Sequence, residues 1–181
     1  TLPSCTACPR LAAFLAQACV DHPDWHNLPV QAYGDPAAPL LVVGLAPGFR
    51  GANRTARPFC GDRSGGWVYQ ALHACGLAES PDPMLAGGTL TGARITNAVK
   101  CVPPANRPTS AETRGCRERW LTTELRDPTI RVIISLGGLS HQAVVDTLGF
   151  PRKDHTFSHA AEHQLGSLVL LDSYHPSPHN T

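Results

Sequence analysis

Four short apolar stretches, each rich in β-branched residues and closed by a glycine, proline or polar residue, set the tightest limit on how this 181-residue chain folds. They cover residues 40–45, 94–99, 131–136 and 168–173, and their length and composition read as buried strands. Amphipathic segments at 65–75, 110–126 and 140–148 lie between them. Strand alternating with helix predicts an α/β fold with a parallel sheet and helices on both faces. Ser110 and Thr113 give the second helix a weak start signal, and Ser140 opens the third more clearly.

Ligands of such sheets gather beyond the carboxyl ends of the strands. That rule nominates segments 46–61, 97–104, 137–140 and 174–181. With 42% apolar and 16% charged residues the chain is neither disordered nor fibrous. Its longest apolar run, around Leu40 to Val43, is too short to cross a bilayer, and no charged-then-apolar leader opens it. The expectation is a single domain over 1–181, a cytoplasmic monomer without membrane contact. A net charge of +1 excludes a strongly basic nucleic-acid coat and leaves room for local patches. Only Lys100 and Lys153 among the 15 basic residues are Lys; the Arg bias follows from a GC-rich genome as well as from phosphate binding.

An odd count of 7 Cys without a leader argues against a disulfide framework and for a metal or cluster site. By the same reasoning the sequon at Asn53 is not read as glycosylated. Cys5 and Cys8 form C-x-x-C, and Cys101 and Cys116 form a second, wider pair. Four thiolates suit zinc or an iron–sulfur cluster, and the spacing does not choose between them. Cys19 and Cys75 fall on apolar helical faces and read as core; Cys60 is left open.

After the first strand, Leu45-Ala46-Pro47-Gly48 leads into a glycine-rich loop crowded by Arg50, Arg54, Arg57 and Arg63. Glycines let a backbone approach a ligand, and the arginines suit phosphate. Phe59 in this loop is either a core plug or a platform on which a base stacks. Asp62 reads as a cap or turn residue before Ser64-Gly65. After the last strand, prolines stiffen the turn that holds His175, which is either structural or a donor to a leaving group that gains negative charge.

Taken jointly, C-x-x-C-P-R-L at 5–11, G-L-A-P-G at 44–48, G-A-N-R-T-A-R-P-F at 51–59 with G-D at 61–62, T-N-A-V-K-C-V-P-P at 96–104 and S-Y-H-P-S-P-H-N at 173–180 resemble the uracil-DNA glycosylase superfamily. The resemblance is strongest to family 5, the iron–sulfur type B branch. It implies a three-layer sandwich with a central four-stranded parallel sheet and a lobe in which Cys5, Cys8, Cys101 and Cys116 hold a structural 4Fe–4S cluster. It implies a monofunctional hydrolase that flips uracil, or another deaminated base such as hypoxanthine, out of DNA and cuts its N-glycosidic bond. Phe59 would be the platform, Asn97 the reader of the base edge and His175 the stabiliser of the departing base, with Leu45, Ala46, Pro47 and Gly48 completing the pocket. Arg50, Arg54, Arg57, Ser177 and His179 would contact DNA.

The sequence departs from the superfamily where a catalytic carboxylate is usual: it has Ala46, and Leu45 where family 4 has Glu. Asn53, Asn97 and Asp62 are the remaining candidates to orient water, which positioning alone can make effective. His179 stands where relatives carry an apolar wedge. The resemblance also leads one to expect a further helix beyond Thr181; either the chain is trimmed or that element is absent, and the opening Thr points to trimming. A non-catalytic module for deaminated or single-stranded nucleic acid, and a redox or zinc protein on a flavodoxin-like sheet, are the competing readings. The last has no use for Asn97 paired with His175.

Overall fold

Alternation along the strands decides which helix covers which face of the sheet. A computed structural model describes residues 1–85 and 89–177. The chain runs through α1 (Pro9–Asp21), β1 (Tyr33–Gly34), β2 (Leu40–Gly44), α2 (Ala52–Thr55) and α3 (Arg63–Ala74). Next come β3 (Ala93–Asn97), then α4 (Ser110–Cys116), a π-helical turn (Arg117–Leu121) and α5 (Thr122–Leu125). β4 (Val132–Leu136), α6 (Gly138–Leu148), β5 (Glu162–Leu165) and β6 (Leu168–Ser173) follow.

The strands form one sheet in the order β1-β3-β2-β4-β6-β5. Its centre, β3-β2-β4-β6, is parallel and corresponds to the expected strands. The sheet is nevertheless six-stranded and mixed, because β1 and β5 add antiparallel edges. Both edges are short and lack a buried β-branched run, as suits strands that face solvent on one side. On β2, Leu41 and Val43 pack with Leu121, Leu125 and Val144 on one face, while Val42 packs with Val68, Tyr69 and Leu72 of α3 on the other. Burial of each such side chain is worth about 1.5–3 kcal/mol, which fixes the three layers.

Asp62 meets its reading as a cap, while the other two helices start from residues other than the expected ones. Asp62 caps α3 by accepting from Gly65 N. A reciprocal Thr109–Glu112 box opens α4, in place of Ser110 and Thr113. Gly137, at φ 99°, opens α6, and Ser140 sits inside its first turn with Oγ donating to the Gly137 carbonyl at 2.7 Å. Cys19 and Cys75 are exposed rather than core, because Cys19 lies off the buried Leu11–Leu15–Ala18 stripe and Cys75 follows the last buried turn of α3. Cys60 is buried, with its thiol donating to the Pro83 carbonyl at 2.9 Å. Among the described residues no helix is long and apolar enough to cross a membrane. The chain leaves β2 towards α3, but leaves β3 and β4 towards the opposite layer. That divergence opens a crevice at the carboxyl edge.

Candidate active site

β2 and β3 end in register at Gly44 and Asn97, and their loops stay zipped beyond the sheet. Ala98 N donates to the Gly44 carbonyl at 2.9 Å and Val99 N to that of Leu45 at 2.8 Å. This brings Asn97 and Phe59 together over Gly44. A Cβ there would lie 2.5 Å from Asn97 Oδ1 and 2.8 Å from the Phe59 ring, so only glycine fits. Phe59 itself has φ 55°, an uncommon left-handed backbone for a bulky residue. Its carbonyl turns onto α3, where a Cβ at Gly65 would be 1.9 Å away.

His175 emerges from β6 into a tight turn in which Ser177 N donates to the His175 carbonyl at 2.7 Å. Gly137 backs it closely, and its ring centroid lies 6.1 Å from that of Phe59. Burial lowers the His175 pKa from 6.5, with Asp62 pulling it the other way, so the ring is neutral at pH 7.

Leu45, Ala46, Pro47, Gly48, Phe59, Asn97 and His175 all line one cavity of about 410 Å³, with Asp62 and Ser177 on its wall. Ala52, Ser64 and Asn106 also line it and went unnoticed in the sequence. Asn106 had a signal: an Asn following Pro-Pro-Ala suits the left-handed turn it adopts at φ 55°. Asn97 is 3% exposed, and its Oδ1 has no hydrogen-bond partner among the described residues. An amide oxygen left so costs about 1–3 kcal/mol unless a ligand satisfies it. Asp62 serves as cap and cavity wall together: Oδ1 accepts from Gly65 N at 2.9 Å, and Oδ2 faces the Gly48–Gly51 loop.

Other expected residues are placed elsewhere. Asn53 is fully buried outside the cavity wall; its Nδ2 donates to Asn27 Oδ1 at 2.9 Å and ties down the Asn27 loop. Arg50 and Arg54 border an adjoining cleft of about 350 Å³ with His22 and Trp25. Arg57 turns away, its guanidinium 4.4 Å over the Tyr33 ring. His179 lies outside the described residues.

Cys5, Cys8, Cys101 and Cys116 converge on a second cavity, of about 220 Å³. The Arg10 guanidinium grips Glu112 with two bonds, 2.8 and 2.7 Å, and so docks the C-x-x-C segment onto α4. Lys100 N donates to Cys116 Sγ at 3.2 Å. Burial pushes the Cys101 thiol up to about 12 and Cys116 to about 11, reinforced in each by neighbouring cysteines. Thiolates are therefore costly there unless a cationic centre holds them. The donor set fits a thiolate-ligated metal or cluster. Arg10 and Glu112 were missed, although the T-x-x-E box at Thr109 was a visible sign of the second.

A flat aromatic face, an unsatisfied amide and a neutral imidazole around one opening suit a planar heterocycle. The fold is that of the α/β proteins whose ligands meet the carboxyl ends of the strands. The model of the Uracil DNA glycosylase superfamily matches residues 31–181. A type-5 uracil-DNA glycosylase of Thermus thermophilus is 42% identical across 100% of this chain and 86% of its own length. One of Mycobacterium leprae is 43% identical, across 97% of this chain and 82% of its own. One of Pyrobaculum aerophilum is 37% identical, across 99% and 80%. The chain belongs to the uracil-DNA glycosylase superfamily, in its type-5 branch.

Proposed function

We propose that this protein is a DNA-repair hydrolase that excises uracil from DNA and leaves an abasic site. The observation that carries the reading is the unpartnered, buried Asn97 Oδ1 beside the Phe59 face. The Watson–Crick edge of uracil places an N–H between two carbonyls. Asn97 accepts from that N–H and donates to one carbonyl, while Phe59 stacks on the ring. As the C1′–N1 bond breaks, its electron pair passes into the base and onto the carbonyl oxygen beside N1. Neutral His175 donates a hydrogen bond to that oxygen where the charge develops. Water then adds to the oxocarbenium-like C1′, and its proton passes to the departing uracil anion. Asp62 is the carboxylate on the cavity wall to orient that water in place of the absent motif carboxylate, and Asn53 braces the loop instead. Ser177, Arg50 and Arg54 sit on the side where the flanking strand passes. The reading extends to other deaminated bases, hypoxanthine included.

The cysteine site is read as a structural 4Fe–4S cluster held by Cys5, Cys8, Cys101 and Cys116. Four cysteines lining one cavity support a thiolate-held centre, and the family resemblance favours a cluster over a single ion. When bound it supplies four-point crosslinking of the lobe, and bond cleavage needs nothing from it. Brown protein containing iron and sulfide supports this; colourless protein with one zinc overturns it. The protein is taken to act as a single-domain monomer in the cytoplasm, where thiols stay reduced.

Single-turnover incubation with a duplex carrying one uracil, followed by alkali, tests the activity. Breaks at the uracil establish it. Binding without breaks establishes the competing reading, a non-catalytic recogniser of damaged or single-stranded nucleic acid.

A further inference from the structure

Three positions before His175, β6 carries a buried polar cluster that base excision does not use. Asp172 is 3% exposed. Its Oδ1 accepts from Ser135 Oγ at 2.8 Å and faces His141 Nδ1 at 2.8 Å. Its Oδ2 lies 2.9 Å from His163 Nε2 and 3.4 Å from Ser158 N. Ser135 is its register partner on β4, while His141 comes from α6 and His163 from β5.

The hydrogens of His141 constrain what this cluster holds. His141 Nε2 lies 2.8 Å from the His155 carbonyl oxygen, which only accepts, so Nε2 carries a hydrogen. In a neutral ring Nδ1 then presents a lone pair, and it faces a carboxylate oxygen at hydrogen-bond distance. Either a proton or a metal cation has to lie between the two. The groups placed on Asp172 are two imidazoles, a hydroxyl and a backbone N–H, none with a permanent charge. A carboxylate buried this deeply needs a counter-charge.

A second proton on His141 would supply the charge but would give His163 no purpose. A metal ion uses all three groups. Their ligand atoms, two imidazole nitrogens and one carboxylate oxygen from separate elements, lie within 4.8 Å of one another. The outer contacts are of the kind that orient metal ligands: His141 is held through its other nitrogen by a backbone carbonyl, and Asp172 is held by Ser135. The His163 side chain, 11% exposed on the edge strand, gives an ion a way in. We propose that His141, His163 and Asp172 form a binding site for a divalent transition-metal ion of the zinc type, separate from the cysteine centre. His141 Nδ1, His163 Nε2 and one Asp172 oxygen are the ligands, and a water entering past His163 completes four-coordination. The ion pins α6 and the edge strand β5 to β6 directly below the catalytic turn.

The test uses the whole protein with its cysteine centre intact, cleared of loose ions by a mild chelator and titrated with Zn²⁺ by calorimetry. Iron and zinc are then counted after gel filtration. One equivalent of zinc, taken up without loss of iron, is expected. His163→Gln, at the sheet edge where it leaves the core closed, should weaken uptake by at least about tenfold. In the unmodified protein, the ¹⁵N resonance of His141 Nδ1 should shift on adding Zn²⁺. Absence of zinc uptake overturns the proposal, as does uptake that is equal in His163→Gln or leaves the His141 resonance unmoved. His141 imidazolium would then be the counter-ion of Asp172.

Discussion

At the base cavity, position is enforced by backbone. Gly44 lets Asn97 and Phe59 meet, Gly65 accepts the Phe59 carbonyl and Gly137 backs His175. At the cysteine lobe, position is enforced by side chains from distant parts of the sequence, with Arg10 gripping Glu112 and four thiols lining one cavity. The cavity is shaped by backbone fit, whereas on the reading proposed above the lobe would draw its rigidity from the group its thiols hold. Damage to the first should therefore cost chemistry, and damage to the second should cost stability.

The largest effect expected is on chemistry. Asn97→Ala and His175→Ala should each slow single-turnover base release on the order of 10²–10³-fold while moving the thermal midpoint little. A large fall in melting temperature instead would merge the two regions. Gly44→Ala should follow: its methyl displaces Asn97 and Phe59, and base release should drop about a hundredfold with duplex binding kept. In the lobe, Glu112→Ala removes the side-chain half of the capping box and a partly exposed ion pair with Arg10. It should cost about 2 kcal/mol in denaturant unfolding and leave base release per folded molecule unchanged.

Two smaller effects sharpen the contrast. Arg50→Ala and Arg54→Ala should each reduce the slope of log affinity against log salt by about 1, while Arg57→Ala, stacked on Tyr33, should leave it alone. His175 has a folded pKa below its ordinary 6.5, so the unfolded chain binds its proton first as pH falls. Its contribution to stability should be flat above pH 6.5 and decline below it. A thermal midpoint followed across that range should lose this component in His175→Gln.

The central strands were legible because burial on both faces demands uninterrupted apolar residues. The edges β1 and β5 were not, because a strand with one solvent side carries no such demand. Pocket residues were legible wherever the motif and the strand end coincided, from Leu45 to Gly48 and at Asn97. Loop residues were not, because inward and outward orientations depend on distant partners. Asn53 is turned inward by Asn27, and Arg57 by Tyr33. The Arg10–Glu112 grip joins residues whose separation of 102 hides their partnership from local patterns.

Phe59 and Gly65 interlock so tightly that the Phe59 face, proposed above to stack the base, and the first turn of α3 form one rigid floor. Adaptation to a bulkier base cannot come from lowering that floor without unwinding the helix. It must come from the ceiling, where Ser177 and the His175 turn hang from a single strand end. On the proposed reading, breadth of substrate, in the laboratory or over evolutionary time, would be set by the roof of this pocket.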